Sequence, residues 1–333
     1  MKIRNIALGV AGVAGAAVAI KMLTRAHTVQ WERVADSVWH SANSHFVHVD
    51  GARVHFQEFG RATDPTLLLI HGYTASTYVW HSVAPELADE GFRVIAVDLL
   101  GFGYSEKPRW FDYSIESQAR MIARLMDTLG IGRATVVGSS YGGAVAATLA
   151  LDYAERVEKL VLAGAVCNDN VLRHPLLRLA AIPGVGEAIT PFLADTRSFH
   201  RRRMRKTLSP ANHDLISRDR VDSIVRPLAA ADAHHALLAT SRNWQARRIA
   251  HDAPLINQPT LIIWGEHDTV TPIEDGHLLH DRILHSRMVV LKDCGHVPME
   301  EKSQLFIELV TEFCHDRKGR IADTHGEEAR LEP

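Results

Sequence analysis

The sequence predicts an α/β fold: a mostly parallel, doubly wound sheet entered through a β-hairpin, with a helical cap inserted before the strand that bears a candidate acid. Three observations predict it. Short, solidly apolar runs recur along the chain, each followed by a helix-like segment; a stretch of alternating apolar and polar residues, broken by a turn pair, precedes them; and the pattern lapses between residues 168 and 253 before resuming. Apolar strands separated by amphipathic helices describe a sheet covered on both faces.

Composition sets the outer bounds. A chain of 333 residues suits one large domain carrying an insertion. Its 37 Lys and Arg against 39 Asp and Glu, with 46% hydrophobic residues, are ordinary for a globular protein. That balance excludes a disordered chain and a generally basic nucleic-acid binder, so no nucleic-acid partner is expected. Cys167, Cys294 and Cys314 lie far apart, with neither C-x-x-C spacing nor an even count, which speaks against a disulfide framework or a cysteine zinc site. The 20 histidines form no H-E-x-x-H or H-x-H cluster, so no metal is predicted.

The elements follow in chain order. Residues 5–20 carry no charge and are bracketed by Lys2 and Arg4 on one side and Lys21 and Arg25 on the other. As a helix they would cover about 24 Å against a hydrocarbon core of about 30 Å. Small residues such as Gly9, Gly12 and Gly15 suit a membrane helix. Residues 1–25 are therefore expected to form a single N-terminal transmembrane helix; the rivals are a signal peptide cleaved near Ala14–Ala16 or Ala17–Ala19, with export of the remainder, and a soluble helix or segment covering the cap. His45–Val49 and Arg53–Phe59 alternate around Asp50-Gly51 and read as a hairpin. The apolar runs Thr66–Ile70, Phe92–Val97, Ala134–Val137, Val157–Ala163, Thr260–Trp264 and Arg287–Leu291 read as strands of the parallel sheet. Residues 45–167 and 254–316 thus form the expected core, 168–253 a helical cap over the carboxyl ends of the strands, where open α/β sheets bind ligands, and 317–333 a polar tail.

Gly138-Ser139-Ser140-Tyr141-Gly142 has the G-x-S-x-G form between a strand and a helix. A nucleophile displayed there sits on a sharp, strained turn, so its neighbours two residues away must lack side chains; Gly138 and Gly142 do. Serine needs a base, itself oriented by an acid, and in this arrangement the acid precedes the histidine in the chain. Asp268, after TLIIW, and His296, after MVVLKD, satisfy that order. His267 precedes the acid and breaks it, and Asp293 and Glu300 stand too near His296 in sequence to reach the far side of its ring. An acyl-transfer intermediate also requires fixed N–H donors for its oxyanion; the backbone N–H groups of Tyr141 and, in the loop after LLLI, Tyr73 are the candidates. His71 reads as a packing and hydrogen-bonding support. Cys294 has no elbow and reads as a small buried filler.

Taken in order, HGYTASTYVW, DLLGFGYSEKP, GSSYGG, WGEHDTVTP and CGHVPMEE resemble the landmarks of the α/β-hydrolase superfamily across residues 45 to 315. The resemblance implies Ser140 as nucleophile, His296 as base, Asp268 as orienter, a cap over residues 168–253, and a structural rather than catalytic Asp98. Epoxide hydrolases and haloalkane dehalogenases of this superfamily carry Asp where this chain has Ser140. Ring-cleavage C–C hydrolases use Ser, but commonly with an HG-x-G-P-G loop that HGYTAS does not match, and the lipase-type HGGG is absent. The leading expectation is a carboxylic-ester hydrolase acting on a small-molecule ester without cofactor. The alternatives are a Ser-dependent C–C hydrolase of ring-cleavage products, or a hydrolase-like binding protein that has no catalysis. Within the cap, Arg197, Arg201, Arg202, Arg203, Arg205 and Lys206 crowd one short run, read as a solvated helix face with anionic headgroups as the rival ligand. Trp244, Phe192 and Phe199 are candidate pocket residues.

Overall fold

The computed structural model describes residues 27–170, 178–179 and 181–316. Eight strands form one sheet in the order β1-β2-β4-β3-β5-β6-β7-β8: β1 Ser44–Val49, β2 Ala52–Phe59, β3 Thr66–Ile70, β4 Arg93–Val97, β5 Ala134–Ser139, β6 Val157–Ala163, β7 Thr260–Gly265 and β8 Ser286–Leu291. β2 pairs antiparallel with both β1 and β4, and every later pairing is parallel. The hairpin closes with Val49 opposite Ala52. Its two loop residues both take positive φ, Asp50 at 47° and Gly51 at 86°, as a two-residue turn matched to strand twist requires.

The apolar runs are continuous because both faces are covered. Leu68, Ile70, Val136, Leu160 and Leu162 pack on one side with the helices α2 (Ile115–Thr128) and α3 (Tyr141–Asp152). Leu67, Leu69, Val137, Val161 and Ala163 pack on the other with α1 (Ala84–Asp89) and α11 (Ser303–Cys314). α3 is buried around most of its circumference, which its run of alanines and glycines permits.

β3 has β4 on one side and β5 on the other, so the winding of the sheet reverses there and opens a crevice at the carboxyl ends of β3 and β5. Between β6 and β7 the described residues carry only helices: α4 (Val185–Ala194), α5 (Arg197–Thr207), α6 (Arg218–Leu228), α7 (Ala231–Arg242) and α8 (Arg247–Asp252), hereafter the cap. The cap closes onto the crevice through the Tyr73 hydroxyl, which donates to the Leu237 carbonyl at 3.0 Å and lies 2.9 Å from Ser241 Oγ. After β7 come α9 (Ile273–Arg282), then β8, α10 (Pro298–Glu301) and α11.

The membrane expectation is corrected. Among the described residues no helix is long and apolar enough to cross a membrane. Residues 5–20, with the anchor and signal-peptide readings placed on them, lie outside the described residues, and their uncharged stretch was short for a span from the outset. Neither the transmembrane helix nor membrane association is carried forward.

Candidate active site

Ser140 follows the last residue of β5 and precedes the first of α3. Its backbone sits at φ 54°, ψ −118°, a conformation an L residue adopts only when its surroundings impose it. Here they do. Ser140 N–H donates to the Ala163 carbonyl at 3.0 Å, and the Ser140 carbonyl accepts from Gly143 and Val166, each at 3.0 Å. A Cβ on Gly142 would strike the carbonyl oxygens of Ile70 and His71, and one on Gly138 would strike that of Gly142. The two glycines of the motif thus allow strand, turn and helix to close on one another. Tyr141 opens α3, so its N–H has no acceptor within the helix.

The loop after β3 abuts this turn, since a Cβ on Gly72 would come within 3.0 Å of Ser140 Cβ. Tyr73, next in the chain, is followed by Thr74, which holds a positive φ of 63°. His71 supports the loop. Its Nε2 accepts Leu99 N–H at 3.1 Å, which leaves Nδ1 to donate to the Gly72 carbonyl at 2.8 Å. Burial lowers its pKa and keeps the ring neutral. Beneath lies Asp98, fully buried. It receives His55 Nδ1 at 2.7 Å, Thr77 N–H at 2.6 Å and Tyr104 N–H at 2.8 Å. Desolvation opposes its ionised form, but His55 and the donated hydrogen bonds outweigh it and hold the carboxyl low.

Asp268 and His296 lie in the loops after β7 and β8. Their contact, His296 Nδ1 to Asp268 Oδ2, is 2.7 Å. The other carboxylate oxygen of Asp268 accepts the N–H groups of Val270 at 2.8 Å and Thr271 at 3.0 Å. Thr271 Oγ1 sits 2.9 Å from Asp268 Oδ2, 3.0 Å from the Gly164 carbonyl and 3.2 Å from His296 Nδ1. The remaining candidates stand elsewhere: His267 Nε2 faces Glu266 at 3.7 Å and Asp293 at 3.9 Å, all exposed, and Glu300 forms a buried pair with Arg220 at 2.5 Å. Cys294 is buried, and burial pushes its thiol up.

Ser140 and His296 line one cavity of about 1170 Å³ with Gly72, Tyr73 and Thr74. Phe199, Leu208, Ile224, Trp244 and Val297 supply apolar wall, while the side chain of Phe192 lies outside the described ones. The arginine run is not a wholly solvated face. Arg202, Arg203, Arg205 and Lys206 line the cavity, and no carboxylate does among the described residues. Arg203 donates to Thr74 Oγ1 at 2.5 Å and has no ion-pair partner among the described residues. Burial lowers its guanidinium to about 10. Sequence reasoning missed Arg203 and Thr271. Each stands inside a run that had been singled out, but which turn of a helix or loop faces inward depends on packing.

A serine on a strained strand-to-helix turn, sharing its cavity with a histidine bonded to an aspartate from a later loop, fits the nucleophile-elbow arrangement of α/β-hydrolases. A model of the alpha/beta hydrolase fold matches residues 65–303. The chain belongs to the α/β-hydrolase family. Among its relatives, an uncharacterized hydrolase, YugF, of Bacillus subtilis (strain 168) is 30% identical over 270 residues, covering 80% of this chain and 95% of that protein. A 2-hydroxy-6-oxononadienedioate/2-hydroxy-6-oxononatrienedioate hydrolase of Burkholderia vietnamiensis (strain G4 / LMG 22486) is 31% identical, covering 84% and 99%. The solved structure of a variant of the meta-cleavage product hydrolase CumD from Pseudomonas fluorescens IP01, complexed with acetates, superimposes with a TM-score of 0.68 at 26% identity, covering 82% and 97%. As an α/β-hydrolase, the chain carries helices between β6 and β7, ahead of the strand that leads to Asp268.

Proposed function

We propose that this α/β-hydrolase cleaves carboxylic esters through an acyl-enzyme on Ser140. The observation that carries the reading is the strained Ser140 sharing its cavity with a His296 whose Nδ1 is held 2.7 Å from Asp268. With Nδ1 committed to the carboxylate, Nε2 is left to take the Ser140 proton during attack on the ester carbonyl and to return it to the leaving alcohol. Water activated by the same imidazole then hydrolyses the acyl-enzyme. The N–H groups of Tyr141 and Tyr73 receive the oxyanion. The cavity exceeds what a small acyl group fills and its walls are largely apolar, which favours medium or long acyl chains.

A second reading has its own support. The Burkholderia relative is named as a hydrolase of 2-hydroxy-6-oxononadienedioate and 2-hydroxy-6-oxononatrienedioate, and the cavity presents Arg203 without a carboxylate partner among the described residues. A Ser-dependent cleavage of ring-cleavage dienoates would place a substrate carboxylate there. The test is release from a graded series of p-nitrophenyl esters and from a ring-cleavage dienoate, by the full chain and by Ser140→Ala. Ester turnover that Ser140→Ala abolishes is expected. Inert esters with a cleaved dienoate would replace the ester reading by the second.

A further inference from the structure

The loop that carries His296 is tied to the end of β7 at the Cys294 carbonyl, which accepts His267 N–H at 2.8 Å, and from Gly295 onward it is held by groups outside the sheet. Three consecutive amides fix it, and each is taken by a group of the cap or of α10. Gly295 N–H donates to Glu301 Oε2 at 2.9 Å, Val297 N–H to Glu301 Oε1 at 3.2 Å, and His296 N–H to the Thr207 carbonyl, at the end of α5, at 2.9 Å. The Glu301 carboxylate reaches the cap as well: Oε2 accepts Ser209 N–H at 2.8 Å and Asn212 Nδ2 at 3.0 Å. Asn212 Nδ2 donates in addition to the Asp293 carbonyl at 2.9 Å. All four partners of Glu301 are donors, two from the base loop and two from the cap, three of them on Oε2 and one on Oε1. The fit is close, for a Cβ on Gly295 would come within 2.7 Å of Ser209 N and strike the Thr207 carbonyl. Glu301 is 8% exposed, so water cannot readily replace these bonds.

We infer that Glu301 is a positioning residue that transmits the seating of the cap to His296, so that the base is correctly placed only while the segment Thr207–Asn212 is docked. Glu301 does not line the cavity; it acts on the imidazole through the amides of the residues on either side of it, Gly295 and Val297. Nothing comparable ties Asp268 Oδ1 and Oδ2, whose acceptors are filled from their own loop and from His296. The acid loop touches the cap at one point, where Thr269 Oγ1 donates to the Lys206 carbonyl, but not through the Asp268 carboxylate; movement of the cap that admits a substrate would thus relax the base more than the acid. The inference rests on the hydrolase reading for its kinetic consequence, not for its structural one.

The experiment uses the full chain, Glu301→Gln and Asn212→Ala. Glu301→Gln keeps the volume but turns an amide NH₂ toward donors; Asn212→Ala removes one cap link at a partly exposed position outside the cavity. Three quantities are measured: kcat and KM with a p-nitrophenyl ester, melting temperature, and the downfield proton resonance of His296 Nδ1–H. Glu301→Gln is expected to lower kcat by about 100-fold with KM changed less than about 3-fold, as a displaced catalytic group does. For Asn212→Ala the expected loss is about 5-fold with the same split. In both the Nδ1–H resonance should shift or broaden at unchanged chain fold. Variants that melt earlier yet keep kcat per folded molecule and an unmoved resonance would show a merely structural role and overturn the inference. Should Glu301→Gln fail to fold, Asn212→Ala alone decides. If the wild-type chain shows no Ser140-dependent turnover, the functional reading fails, while the resonance still reports whether the cap positions the base.

Discussion

The acid loop and the base loop of the site leave neighbouring strands and are bonded to each other, through His296 Nδ1 to Asp268 Oδ2 and through His267 N–H to the Cys294 carbonyl at 2.8 Å, yet they lean on the rest of the molecule to different extents. The Asp268 carboxylate is held from within, by two amides of its own loop and by Thr271, which is in turn bonded to the Gly164 carbonyl at the end of β6, while its loop meets the cap only where Thr269 Oγ1 donates to the Lys206 carbonyl. His296 is held from without, by the Thr207 carbonyl and by a glutamate that also binds the cap. Gly164, at φ 52°, lies under both, and a Cβ there would come 3.2 Å from Asp268 Oδ2 and from His296 Nδ1. The difference teaches that, of the two partners proposed for Ser140, the histidine leans more heavily on the inserted segment than the aspartate does.

The comparison can be broken most completely at the bond between His296 and Asp268. Asp268→Asn should lower kcat by about 10⁴-fold with little change in KM, because the amide leaves His296 free to take the wrong tautomer. Initial rates with a p-nitrophenyl ester, on protein shown to melt normally, measure it. Gly142→Ala attacks the shared foundation instead. The added methyl meets the Ile70 and His71 carbonyls, and a cost of about 3 kcal/mol is expected in urea unfolding, with loss of activity in what remains folded. Thr271→Val sharpens the contrast on the acid side. Losing one hydroxyl from a buried network should cost about 1 kcal/mol and a few-fold in kcat, well below the effect expected of Glu301→Gln. The smallest effect concerns pH. His200 in α5 is buried, and burial lowers its pKa to about 4, so the ring is neutral in the fold. A depressed pKa means that the unfolded chain binds the proton more readily; the stability is present above the unfolded value near 6.5 and is lost as pH falls from there toward 4. Because the last residues of α5 bond the base loop at Thr207 and the acid loop at Lys206, acid should loosen the cap before the sheet. Limited proteolysis at pH 7.5 and 5 should show cleavage within the cap at pH 5, reduced in His200→Gln.

What could be read in the amino-acid order was whatever is locally enforced. The strands Thr66–Ile70 and Val157–Ala163 begin and end where their apolar runs do, since each run is bounded by turn residues and covered on both faces. The hairpin turn was legible in Asp50-Gly51 because only such pairs take two positive φ values in succession. Ser140 was legible because the constraint on Gly138 and Gly142 acts over two residues. Glu301 and Asn212 were not, although Glu301 stands inside a motif that was singled out: their bond joins positions 89 apart in the chain, and no local pattern records it. Arg203 was hidden for a related reason, since six cations along a short helix give no sign of which one turns inward.

Asp98 gathers the hairpin through His55, the turn after β3 through Thr77 and the loop after β4 through Tyr104 onto one buried carboxylate. Both the Thr77 and the Tyr104 amides donate to a carboxylate that is fully buried. In deuterium oxide they should therefore exchange only with the slowest protons of the sheet, and mark the part of the molecule that opens last.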